Sequence, residues 1–146
     1  MASTVYTFTQ QEKLKSKKLI EIVFAQAQAF NAYPYKVLYY IVPTTLKLAD
    51  SKAYVPQYPV KFGITVPSKH HKKAVDRNRL KRITREAWRL QKQNLYNVLL
   101  KKNAAPIQLA IFVIYTPKTI LCYTQAYDGI TKAITKLIKT LETPHP

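Results

Sequence analysis

A chain of 146 residues is the size of one domain, and a hydrophobic content of 47% supplies a packed core, which excludes global disorder. The 24 Lys and Arg against 7 Asp and Glu leave a formal net charge of +17, which predicts a polyanionic partner, either nucleic acid or an anionic membrane surface. No apolar run approaches the roughly 18 residues that a membrane span needs. Met1-Ala2-Ser3-Thr4 opens without the basic and apolar regions of a signal peptide. The single cysteine, Cys122, excludes an internal disulfide, fits a reducing cytosol and reads as a small packed residue.

Residues 1–13 are mostly polar and read as a loosely ordered extended arm, with Tyr6 and Phe8 on one side of the alternation. Ser16 is a suitable helix cap. Ile20, Val23, Phe24 and Ala27 then recur at i, i+3, i+4 and i+7, so a first amphipathic helix is expected over 16–28. Asn31 to Pro34 reads as a turn. Lys36 to Val42 is rich in β-branched and aromatic residues and reads as a strand. Residues 43–59, with Pro43, Pro56 and Pro59, form a loop with a short strand near Leu46. Val60 to Val66 is a second strand, and Gly63 inside it marks a bulge or a close backbone approach.

Pro67 to Lys73 is a basic connector. His70 and His71 are adjacent and point apart, without Cys or acids beside them, so contact with phosphate is expected of them rather than a metal site. A basic helix follows from Ala74 and is expected to end near Asn94 to Asn97. On a helical wheel Leu80, Ile83, Ala87 and Leu90 form the buried stripe. Arg77, Lys81, Arg85 and Arg89 form a ridge at i+4 spacing, with Arg82 beside it and Trp88 at the boundary, leaning towards the ridge. Like charges at this spacing repel one another. Such a face is either solvated or meets a polyanion, and the dominance of Arg, whose planar fork fits phosphate, favours the polyanion. Ile107 to Tyr115 is a short apolar run ending before Pro117 and reads as a central strand. Tyr123 to Leu141 is a last helix, with Ile130, Ile134, Leu137, Ile138 and Leu141 on its core face and Lys132, Lys136 and Lys139 on a solvated one. Thr143 to Pro146 is a loosely ordered tail. The order is α-β-β-α-β-α, a small α+β domain with helices packed on a mixed sheet.

The string Arg77-Asn78-Arg79-x-Lys81-Arg82-x-x-Arg85-Glu86, preceded by Lys73-Ala74-Val75, resembles the signature of the bacterial ribonuclease P protein component. The resemblance extends upstream to Phe62-Gly63-Ile64-Thr65-Val66 and Lys69, and more weakly to Leu14, Val23-Phe24 and Val37-Leu38-Tyr39. It implies a ribosomal-protein-S5-domain-2-like fold with a left-handed βαβ crossover, so that 1–146 is a single RNA-binding domain. It also implies a cytoplasmic subunit of an endoribonuclease that removes the 5′ leader of precursor tRNA. Its partners are then ribonuclease P RNA and precursor tRNA, with no membrane and no protein partner expected. The alternative is a structural RNA-binding protein, such as a ribosomal protein, with no part in cleavage.

No catalytic residue is expected on the protein. A nuclease that holds its own metal ions needs clustered carboxylates, and the seven acids are scattered; Asp76 and Glu86 stand about 15 Å apart along one helix. The resemblance places catalysis on an RNA subunit, with Mg2+ bound mainly by that RNA and no metal on the protein. It carries RNA contacts to Lys69, Arg77, Asn78, Arg79, Lys81, Arg82 and Arg85; Lys73, just before the motif, and Arg89, on the ridge, are expected to contact RNA as well. It places the leader in a cleft between the first helix and the sheet, where Phe24 and Tyr39 match best, with Phe8, Tyr40 and Phe62 behind them. Only one of Tyr39 and Tyr40 can face that cleft, since neighbours on a strand point to opposite faces. This chain departs from the pattern at His70, Lys72, Ala27 and Ile20, where a basic residue, two glycines and an aromatic are usual.

Overall fold

A computed structural model of the chain describes residues 12–15, 17–42, 60–102 and 108–142. The described elements are α1 (Lys17–Gln26), β1 (Gln28–Ala32), β2 (Tyr35–Val42), β3 (Val60–Thr65), α2 (Ala74–Lys102), β4 (Gln108–Tyr115) and α3 (Tyr123–Glu142). They form one mixed sheet in the order β1-β2-β4-β3. β1 and β4 each pair antiparallel with β2, and β3 pairs parallel with β4, so β4 (Gln108–Tyr115) is an interior strand, as expected of the apolar run that contains it. The expected arm with Tyr6 and Phe8, the cap at Ser16, the 43–59 loop with its strand near Leu46, and the tail from Thr143 lie outside the described residues.

Three expectations are corrected. The segment taken as helix end and turn contains a strand, β1, which pairs Gln28 with Tyr39 and Ala32 with Tyr35, so the turn shrinks to Tyr33–Pro34. α2 runs on past Asn97 to Lys102, because Leu95, Tyr96 and Leu99 continue its buried arc. The loose arm expected over 1–13 is corrected at Glu12, which is fully buried and accepts hydrogen bonds from Lys92 Nζ and from Tyr96 Oη at 2.5 Å. The next residues lie along β3: Lys13 bridges Phe62 in parallel, and Leu14 N–H donates to the Phe62 carbonyl at 3.0 Å. A polar row is buried here because it is paired; removal of either charged partner would strand the other, at a cost of about 3–5 kcal/mol.

Strand alternation sorts the side chains into two cores. Tyr35, Val37 and Tyr39 of β2, Leu109, Ile111 and Val113 of β4, and Val60 and Phe62 of β3 meet α2 and α3 on one face. Leu38 of β2 and Ala110 and Phe112 of β4 meet Leu19 and Val23 of α1 on the other. Each aliphatic side chain buried in this way contributes about 1.5–3 kcal/mol. Both glycines in the chain stand where another backbone or ring comes close. A Cβ on Gly129 would lie 2.5 Å from Pro34 Cδ, so the Tyr33–Pro34 turn could not rest on α3. A Cβ on Gly63 would lie 2.8 Å from Phe112 Cδ2, which bears out the close approach read from the sequence.

The buried arc of α2 is rotated from the expected stripe. Leu80, Ala87 and the half-buried Ile83 are in it, but Leu90 is exposed (37%) and Trp88 is buried (1%). α2 is covered by both the sheet and α3, so its buried arc is wide and centres on Thr84, Gln91 and Leu95. Leu90 falls on one flank of that arc, and Trp88 falls inside it.

Candidate nucleic-acid interface

The N-terminal half of α2 buries Leu80, Thr84, Ala87 and Trp88 against the core, and this fixes which cations are presented. Asn78, Arg79, Arg82 and Arg85 are exposed, as are Lys69 and Lys73 in the connector; Lys81 is half-buried. Arg77, which falls towards the buried arc on the wheel, has a second task. Its guanidinium donates to the carbonyls of His71 and Lys72, both at 2.8 Å, and so clamps the connector against the start of the helix.

His71 anchors the other side of the connector. Its ring is buried, its Nε2 is 2.8 Å from the Pro117 carbonyl, and it lies 5.5 Å from the ring of Tyr115. The expectation that His71 meets phosphate is therefore corrected: an imidazole committed to a backbone carbonyl and packed on a ring is not presented to a ligand. His70 is half-exposed, and its imidazole is held below the ordinary histidine range, first by desolvation and then by Lys69, Lys118 and His71, which disfavours a cationic contact at neutral pH.

Arg89 pairs with Glu86 through two guanidinium nitrogens. The hydrogen bond from Arg89 holds the Glu86 carboxyl below its usual range and raises the guanidinium in turn. Tyr123, at the start of α3, lies beside this pair. Partial burial and then the Glu86 carboxylate and Tyr127 raise its hydroxyl, with Arg89 opposing. Cys122, expected to be packed, is exposed at the same helix end.

The second surface is the sheet face under α1. Phe24 is 53% exposed on α1 and meets Phe112 edge-on, with ring centroids 5.1 Å apart. Phe112 in turn lies over Gly63, its register partner on β3. Tyr40 packs on this side with Leu38, and alternation puts Lys36 and Lys61 on the same face. The best-matched pair, Phe24 and Tyr39, is not brought together. Tyr39 sits in the opposite core, where its hydroxyl donates to Gln28 Oε1 at 3.0 Å and its ring lies 5.9 Å from Phe30. Phe62 is likewise in that core, 2% exposed and stacked on Trp88. Phe8 lies outside the described residues. Lys36, Lys61, Gly63 and Phe112 were missed as parts of this surface. Their signal was positional: they occupy the strand positions between the core residues, and the phase of that alternation decides what faces α1.

The two surfaces together offer guanidinium groups spaced for phosphates and rings for unpaired bases. Among the described residues no three His, Cys, Asp or Glu gather as a metal group would, and no helix is long and apolar enough to cross a membrane.

The chain is similar to known proteins in sequence and in fold. The ribonuclease P protein component of Porphyromonas gingivalis is 33% identical over 97 residues, 66% of this chain and 64% of that protein. That of Nitrosococcus oceani is 31% identical over 90 residues, 62% of this chain and 65% of that protein. The chain thus spans just under two thirds of the length of these relatives. The Staphylococcus aureus RNase P protein superposes with a TM-score of 0.59 at 17% identity, covering 88% of this chain and 95% of the other. The Thermotoga maritima RNase P protein does so with a TM-score of 0.59 at 20% identity, covering 86% and 96%. At these identities the two structures bear on the fold, and it is the α+β fold that the resemblance implied. A family model for ribonuclease P matches residues 8–142, and the chain belongs to the ribonuclease P protein family.

Proposed function

We propose that the chain is the protein subunit of a cytoplasmic ribonuclease P, binding the catalytic RNA and the 5′ leader of precursor tRNA and assisting removal of that leader. The observation that carries this reading is the exposed set Asn78, Arg79, Arg82 and Arg85 on α2 of a chain in this family. In this reading the arginines neutralise phosphates where catalytic RNA and substrate crowd together, and Asn78 hydrogen-bonds sugar or phosphate without adding charge. The leader lies across Phe24, Phe112 and Tyr40, with Lys36 and Lys61 for its phosphates. The hydrolytic step, with its Mg2+, belongs to the RNA. The chain's own part is to bind and position: Arg77 and His71 hold the connector so that Lys69, Lys73 and the arginines reach one strand path.

The test is cleavage of a 5′-extended precursor tRNA at low Mg2+ with the protein alone, a bacterial ribonuclease P RNA alone, and both. Mature-end cleavage by the mixture, well above that by RNA alone and absent with protein alone, is expected. RNA binding without stimulation would replace this reading with that of a structural RNA-binding protein.

A further inference from the structure

The rings of Tyr123 and Tyr127 stand at the N-terminal end of α3, 6.0 Å apart and tilted by 49°. Tyr123 is 37% exposed, and Tyr127 is half-buried against the core. α3 is held against α2 at this level by Gln91, whose amide donates to the Tyr127 carbonyl at 3.0 Å and accepts from Thr131 Oγ1. The rings therefore sit on a fixed support. Beside Tyr123 on α2 are Glu86 and its partner Arg89. Arg82 lies one turn before Glu86, and Arg79 almost one turn before Arg82; both are exposed. The arginine face thus ends against a pair of aromatic rings on the far side of the sheet from α1.

We propose that Tyr123, supported by Tyr127 and beside Arg89, is a second site for an unpaired RNA nucleotide, in which the base stacks on Tyr123 while its neighbouring phosphates meet Arg89 and, one turn beyond Glu86, Arg82. The inference rests on the RNA-binding reading above and adds a base-stacking site separate from the α1 cleft. The occupant is an unstacked base of a folded RNA, because a base on the ring of Tyr123 puts its flanking phosphates within the reach of side chains at Arg82 and Arg89. Glu86 tempers the charge and orients Arg89, so the ring supplies binding that salt does not screen.

Binding of the full chain to ribonuclease P RNA alone, without substrate, separates this site from the leader cleft. Tyr123→Ala and Tyr123→Leu are each expected to weaken binding about fivefold, Tyr123→Phe to leave it unchanged, and all three to keep the wild-type salt slope, since no charge is removed. Circular dichroism confirms that each variant retains the wild-type helix content. Full binding by the Leu variant would show that bulk rather than a π face matters, and full binding by the Ala variant would remove the site; either result overturns the inference while wild-type stimulation of cleavage leaves the subunit reading standing. A wild-type protein that binds the RNA without stimulating cleavage fails the subunit reading alone, and the variant pattern still decides the stacking site. A wild-type protein that does not bind the RNA overturns both.

Discussion

The indole of Trp88 lies flat on the ring of Phe62, with centroids 4.4 Å apart and planes 7° from parallel. One residue is on α2 and the other on β3, the strand that leads into the basic connector. Tyr96, on the same helix as Trp88, meets the indole edge-on at 6.5 Å and donates its hydroxyl hydrogen bond to the buried Glu12 carboxylate. The stack therefore fixes the roll of α2 about its axis, and the roll decides that Asn78, Arg82 and Arg85 point outward. Specificity of the basic face begins in the core.

Trp88→Ala is expected to destabilise the protein by about 3–5 kcal/mol, the range for removing a large aromatic from a packed site. Among the described residues the indole N–H finds no acceptor. Trp88→Phe removes that unpaired donor while keeping a ring against Phe62, so it is expected to cost less than half as much. Urea unfolding followed by circular dichroism checks both, since Trp88 is the only tryptophan and its fluorescence is absent from the variants.

A pH effect follows from Tyr35. The Tyr35 hydroxyl shares a buried 2.6 Å hydrogen bond with Thr84 Oγ1. Burial pushes the Tyr35 hydroxyl from 10.0 up to about 12, against the Thr84 bond and with a small push from Tyr115. The unfolded chain releases this proton near the ordinary value and the folded chain only near the raised one. The stabilisation is therefore complete below pH 10.0 and is lost as pH rises to about 12, for a total of about 2–3 kcal/mol. Tyr35→Phe is expected to flatten the stability curve in that window, read as the difference between wild-type and variant urea midpoints at each pH.

Phe24 is the exposed ring of the cleft, and its removal should be felt only where a leader is present. Phe24→Ala is expected to weaken binding of 5′-extended precursor tRNA to the holoenzyme by about 1–3 kcal/mol, with the lower end favoured because the ring is half in solvent. Binding of mature-length tRNA should be unchanged. Equal weakening on both substrates would remove Phe24 from the leader path.

The ends of β2, β3, β4 and α3 were legible because their periods are clean: alternating or continuous apolar runs bounded by Pro, and a 3.6-residue stripe from Ile130 to Leu141. β1 was not, because Gln-Ala-Phe-Asn-Ala has no β-branched residue, and Pro34 drew the turn outward over it; pairing with β2 supplies what local propensity lacks. Which of Tyr39 and Tyr40 faces α1 depends on the phase of β2 against two helical layers, and only the packing sets that phase. In the basic motif the residue types were legible, but their division of labour was not. Arg77 and Arg82 look alike in sequence, and a backbone path brings two carbonyls to one of them.

That division gives the sharpest test of the basic face. Arg82→Ala with Arg85→Ala removes two exposed guanidinium groups, and the fold should keep its urea midpoint because neither is buried. Binding to ribonuclease P RNA should weaken, and the slope of log affinity against log salt should flatten by roughly 0.7–0.9 for each phosphate that is no longer neutralised. Arg77→Ala should behave differently. It leaves the His71 and Lys72 carbonyls without their donor and frees the connector, so stability falls together with affinity, by about 1–3 kcal/mol for the charged hydrogen bonds removed. Amide exchange in residues 69–73 should rise in Arg77→Ala and stay at the wild-type rate in the double variant. A slope unchanged in the double variant would take Arg82 and Arg85 out of the interface. A connector unchanged in Arg77→Ala would return Arg77 to the ridge, as the i+4 spacing alone suggested.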